Sequence, residues 1–134
     1  MASDYASEEI FQSDPCIKRY EGNPVLSADD VPYPATLVFN AGVCKFQGKY
    51  VMVFRNDVCS GEDKKKPHET NIGIAFSEDG INWKVRPEPW IKMRTSEIRR
   101  AYDPRVTVIE DKAYLCFAVD TKHGIRGGIA VTED

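Results

Sequence analysis

The heptapeptide GIAFSED at Gly73–Asp79 returns, with two changes, as GIAVTED at Gly128–Asp134. The copies lie 55 residues apart (134 less 79). The same pattern precedes each of them. VCKFQGKYVMVFR (Val43–Arg55) stands ahead of the first and VTVIEDKAYLCFAV (Val106–Val119) ahead of the second. Both read as two apolar runs rich in β-formers around a tight polar turn, QGK in one case and EDK in the other. Each unit is therefore strand, turn, strand, loop, and a third strand that ends in Ser/Thr-Glu-Asp. After the first copy, Asp79-Gly80 turns the chain again and Trp83 opens a fourth strand. About four strands in roughly 40–55 residues is the signature of a β-propeller blade.

The expected fold is all-β, with residues 1–34 an irregular lead-in and residues 35–134 the first blades, the chain ending in mid-repeat. The lead-in holds Pro15, Pro24, Pro32 and Pro34, with a short helical turn expected near SEEIF (Ser7–Phe11). A blade cannot bury both faces alone, and two blades leave an open sheet edge. The chain is thus expected to be part of a longer protein; copies of itself closing a ring are the alternative.

Composition excludes several classes of partner. Eighteen basic and 21 acidic residues give a net charge of −3, so no basic surface calls for nucleic acid or an anionic membrane. No apolar run approaches the ~20 residues of a membrane span, and the acidic N-terminus lacks the pattern of a secretory signal. The four cysteines form no C-x-x-C pair and no cluster with His68 or His123, so no metal site is expected and reduced thiols in a cytoplasmic protein are. CSGEDKKKPHET (Cys59–Thr70) reads as a long polar loop; His68 within it and His123 in DTKHG are both expected to be exposed.

Polar residues recur at corresponding places in the two units. FNAGV and YDPRV each stand at the head of a hairpin, so Asn40 and Asp103 are expected to approach one axis from adjacent blades. Arg55 closes the second strand of the first hairpin. An amide, a carboxylate and a guanidinium suit sugar hydroxyls, and the guanidinium would also hold a carboxylate. Tyr102 offers a ring face for a pyranose, and Asp57 and Arg105 are expected to join the set as substrate-binding residues. Plainer readings exist for each. Asp103-Pro104 is ordinary turn chemistry, and Arg55 with Asp57 would make a surface ion pair of little net worth.

Four motifs in order, N-P-V-L, F-N-A-G-V, G-K-Y…R and Y-D-P-R, resemble glycoside hydrolase family 130, the β-mannoside phosphorylases, from about Asn23 to the last residue. The resemblance implies a five-bladed propeller of which this chain supplies about the first two blades. It also implies a reaction in which inorganic phosphate, with no other cofactor, attacks C1 of a β-mannosyl unit with inversion and releases α-mannose 1-phosphate. Asp103 would be the general acid, Asn40 and Arg55 ligands of the mannosyl unit, and Tyr102 a wall of the neighbouring subsite. The family's phosphate ligands lie mostly in later blades, so 134 residues alone are expected to be inactive. A β-mannosidase of the same fold, or a glycan-binding propeller without turnover, are the other readings.

Overall fold

The computed structural model describes residues 16–60 and 66–132. The helical turn expected at Ser7–Phe11 and the repeat's final Asp134 lie outside them. Among the described residues, seven strands form two antiparallel sheets. The first sheet runs in the order β1 (Leu37–Phe46), β2 (Lys49–Cys59), β3 (Pro67–Ser77) and β4 (Lys84–Val85). The second runs β5 (Ile98–Ile109), β6 (Lys112–Thr121) and β7 (Gly124–Thr132). Residues 16–36 contribute one 3-10 turn, Ala28–Asp30, and no strand.

Local chemistry accounts for the hairpins. Gln47-Gly48 and Glu110-Asp111 each join their strands as two-residue turns in which both φ values are positive: 47° and 82° in the first, 49° and 63° in the second. Such turns match the right-handed twist of the flanking strands. The polar connection after β2 is shorter than its composition implied. Pro67, His68, Glu69 and Thr70 belong to β3, where Pro67, Glu69 and Thr70 pair with the end of β2 and His68 sits at a register shift.

Strand alternation then divides the side chains. Val53, Ile72 and Ile74 face the second sheet and pack with Ala101, Leu115 and Val119 in one core. Met52, Phe54 and Ala75 face the opposite way and pack with Val31, while Val25, Leu26, Tyr33 and Trp83 close over them. The irregular segment thus covers the outer face of the first sheet. On β7, by contrast, Ile125, Ile129 and Val131 are more than half exposed, the kind of apolar face on which a propeller seats its next sheet.

The repeated Gly-Ile-Ala has a steric cause. Gly73 pairs with Phe54 and Gly128 with Phe117 across their strands. A Cβ on Gly73 would stand 2.2 Å from the Phe54 ring, and one on Gly128 would stand 2.5 Å from that of Phe117. Each glycine leaves the space its partner ring fills. The Asp of the first copy has a cause as well. The Asp79 carboxylate accepts hydrogen bonds from the Ile81 and Asn82 amides, the Asn82 side chain and the Ser77 hydroxyl. The Asn82 contacts lead in holding it well below the ordinary carboxylate range. No helix among the described residues is long and apolar enough to cross a membrane.

Two outcomes follow. Gly73→Ala overpacks a fully buried ring and should destabilise by about 3 kcal/mol in urea unfolding. Gly128→Ala meets a half-buried Phe117 that can yield, and should cost about 1 kcal/mol. Equal losses would contradict this account of the repeat. Second, a lowered folded pKa contributes stability above the unfolded value near 4. That stability disappears as pH falls through the folded value. Asp79→Asn should therefore flatten the fall in thermal midpoint between about pH 4 and pH 2.

Candidate active site

The inner strands of the two sheets carry matching irregularities. In β1, Asn40 and Ala41 form a bulge between the pairs Phe39↔Arg55 and Gly42↔Val53. In β5, Asp103 and Pro104 form one between Tyr102↔Ala118 and Arg105↔Cys116. Asn40 and Asp103 have φ of 50° and 51°, left-handed values that Asn and Asp accept more readily than other side-chain-bearing residues. The Asp-Pro pair is therefore a bulge inside a strand, not a turn ahead of one. Bulges re-aim side chains and concentrate at functional sites.

Gly42 brings the bulges together. A Cβ there would lie 2.9 Å from the Val106 amide nitrogen, so β1 and β5 approach at backbone distance. Asn40 Nδ2 consequently donates to Asp103 Oδ1 at 2.8 Å across the sheets. Arg55 Nη1 donates to the same Oδ1 at 3.2 Å. Both contacts use one oxygen, and Oδ2 accepts no hydrogen bond among the described residues. Asp103 keeps 37% of its side chain exposed.

Arg55 itself is held rigidly. Its Nε and Nη2 donate to the two oxygens of Asp57 at 3.0 and 2.8 Å, and Thr70 Oγ1 donates to Asp57 Oδ1 at 2.7 Å. The surface ion pair read from the sequence is instead buried: the side chains are 15% and 3% exposed. Burial by itself would weaken the guanidinium's hold on its proton. Contacts with Asp57, and then Asp103, outweigh burial and raise its pKa above the ordinary value.

The guanidinium carbon lies 4.7 Å from the Phe39 ring centre and 5.1 Å from that of Tyr102. That of Arg100 lies 5.0 Å from the Tyr102 centre. Tyr102 is 9% exposed and donates its hydroxyl to Asp120 Oδ1 at 2.8 Å, while Arg100 Nε donates to Asp120 Oδ2 at 2.6 Å. A buried ring with two guanidiniums over it is not the open stacking platform expected for a pyranose. Arg105 is exposed, and its Nη1 donates to the carbonyls of Asn40 and Pro104, which fixes the bulge backbone.

Asn40, Arg55, Asp57, Tyr102, Asp103 and Arg105 thus form one connected cluster. Phe39, Thr70, Arg100 and Asp120 belong to it as well and escaped the sequence reading. The hairpin repeat held a signal for two of them. At the 63-residue spacing of Asn40 and Asp103, Phe39 corresponds to Tyr102 and Asp57 to Asp120. Among the described residues, no group of three or more His, Cys, Asp or Glu is placed to hold a metal.

Comparison with known proteins supplies the lineage. The family model of glycoside hydrolase family 130, described as beta-1,4-mannooligosaccharide phosphorylase, matches residues 10–134. The beta-1,4-mannooligosaccharide phosphorylase of Ruminococcus albus is 35% identical over 130 residues, covering 88% of this chain and 36% of that protein. The chain therefore spans about a third of the length of that relative. A glycosyl hydrolase from Bacteroides ovatus superposes with a TM-score of 0.71 at 20% identity, over 87% of this chain and 38% of its own. Beta-1,2-mannobiose phosphorylase from Listeria innocua, in complex with beta-1,2-mannobiose, gives 0.70 at 20% identity, over 87% and 48%. The neighbours of this family are five-bladed β-propellers, of which the chain covers a part. It belongs to glycoside hydrolase family 130 and corresponds to the N-terminal portion of that family's fold.

Proposed function

We propose that this chain supplies the acid-bearing part of an inverting β-mannoside phosphorylase. One observation supports this above the others. Asn40 and Arg55 anchor Asp103 through a single oxygen, so the second oxygen can carry the proton while the first keeps both donors.

In this reaction an oxygen of inorganic phosphate attacks C1 of the non-reducing-end β-mannosyl unit. The bond from C1 to the glycosidic oxygen breaks, and its electron pair stays on that oxygen. Asp103 donates its proton there, which releases the shortened saccharide beside α-mannose 1-phosphate. An inverting hydrolase needs a second carboxylate to activate water, whereas phosphate is already an anion and needs cations to hold it. A single general acid, with its roughly 10²–10⁴-fold contribution, is then consistent with the cluster. Asn40 and Arg55 also offer donors to sugar hydroxyls, with Asp57, Tyr102 and Arg105 keeping them in place.

The phosphate ligands are assigned to parts of the enzyme outside the third that this chain spans. The linkage is assigned as β-1,4 or β-1,2, the first favoured by the more similar Ruminococcus albus protein. No cofactor is required beyond phosphate, and a reaction that consumes free phosphate suits a cytoplasmic enzyme.

The intact protein, incubated with phosphate and β-mannooligosaccharides, should yield mannose 1-phosphate. Free mannose formed without phosphate would make it a mannosidase instead. Asp103→Asn retains an oxygen for Asn40 and Arg55 and loses only the transferable proton. Turnover of mannobiose should fall by about 10²–10⁴-fold with disaccharide affinity nearly unchanged in calorimetry. Unchanged turnover would remove the acid role.

A further inference from the structure

A polar cleft, about 710 Å³ in volume, opens between the sheets beside the Asp103 cluster. The start of β3 lines one side, the Lys92–Thr95 segment another, and the start of β5 with the end of β6 the third. Its charged lining includes Lys92, Arg94, Arg99 and Arg100 against Glu69 and Asp120, a surplus of two positive charges on a chain whose net charge is −3.

The internal pairing shows which charges remain available. Lys92 Nζ lies 2.9 Å from Glu69, whose carboxylate also accepts from the buried Asn71 at 3.1 Å. Asp120 is occupied by Arg100 and Tyr102. Both carboxylates are therefore engaged in the frame. Arg94 and Arg99 are exposed, and neither has an ion pair or hydrogen bond among the described residues. Asp120 attracts Arg99 through space, and the two exposed guanidiniums in one cleft still suit an oxyanion, which they hold by charge-assisted and bidentate hydrogen bonds.

The cleft is continuous with the cluster through Thr70, Arg100 and Asp120, which line it. Asn40, Arg55 and Asp103 do not line it. In an inverting displacement the nucleophile and the leaving oxygen flank the same carbon, so both lie within a few ångströms of the acid's surroundings. An anion in this cleft stands apart from those residues, which suits a remote substituent better than the attacking phosphate.

On the basis of the saccharide reading above, we propose that this cleft accepts an anionic group carried by the saccharide, a carboxylate or a phosphate ester, on the sugar unit next to the one attacked. Arg94 and Arg99 are the recognising residues. Substrates bearing a uronic acid or a sugar phosphate in that position are then preferred over neutral mannosides.

Titration calorimetry on the intact protein tests this without turnover, with β-mannosyl-glucuronate and neutral β-mannosyl-glucose as probes. The acidic disaccharide should bind about tenfold more tightly, the scale of one charge-assisted contact, and the advantage should shrink as salt rises. Arg94→Gln combined with Arg99→Gln should remove that advantage and leave affinity for the neutral disaccharide unchanged. Equal affinities in the unaltered protein, or an advantage that survives the double substitution, would overturn the proposal. So would a loss of inorganic phosphate binding in the double variant, which would assign the cleft to phosphate itself. If neither disaccharide binds, the mannoside reading of the site fails, and this proposal with it. Binding that obeys these expectations in a protein without phosphorolysis would overturn the reaction alone.

Discussion

Arg55 carries a positive charge into a place where it is only 15% exposed, and groups from both sheets surround it. Asp57 grips it through two hydrogen bonds, Asp103 accepts a third, and the rings of Phe39 and Tyr102 lie over its guanidinium. Losing one partner of a buried pair generally costs about 3–5 kcal/mol, because the remaining charge has nowhere to go. The site and the junction between blades therefore depend on one residue. Cation–π contacts with desolvated guanidiniums add roughly 1–2 kcal/mol each. The stack Phe39, Arg55, Tyr102, Arg100 thus runs from the first sheet into the second and fixes their relation.

Asp103 inherits its position from this arrangement. Gly42 lets two inner strands approach at backbone distance, and the bulges at Asn40 and Asp103 direct their side chains at each other. Left-handed backbone at a residue that bears a side chain costs about 1–3 kcal/mol. Having it at both members of the contacting pair places strain where function needs a defined geometry. Arg105 and Thr70 support this from behind, one through the Asn40 carbonyl and the other through Asp57.

The repeat made much of the fold legible. The continuous apolar run Tyr50–Phe54 marks a strand buried on both faces, and the recurrence of Gly-Ile-Ala marks where a ring must cross a glycine. Asn40, Arg55 and Asp103 could be grouped because their places recur. Their partners were harder to see. Thr70 looked like part of a polar loop, since His-Glu-Thr has no apolar partner in sequence to identify it as strand. Arg100 and Asp120 meet only through cross-strand register, which composition does not encode. Tyr102 looked like a sugar platform because aromatic residues near acids often are. Burial under two guanidiniums depends on a neighbouring sheet that local sequence does not describe.

The acid role of Asp103 can be separated from a merely structural one by changing how much the leaving group needs a proton. Dinitrophenolate departs without protonation, whereas a sugar alkoxide does not. The decisive measurement is the turnover of the Asp103→Asn enzyme on dinitrophenyl β-mannoside and on mannobiose, each relative to the unaltered enzyme. Asp103 as the acid predicts near-normal turnover of the aryl mannoside and a loss of about 10²–10⁴-fold on mannobiose. Equal losses on both substrates would contradict it and leave Asp103 as a strut between two blades.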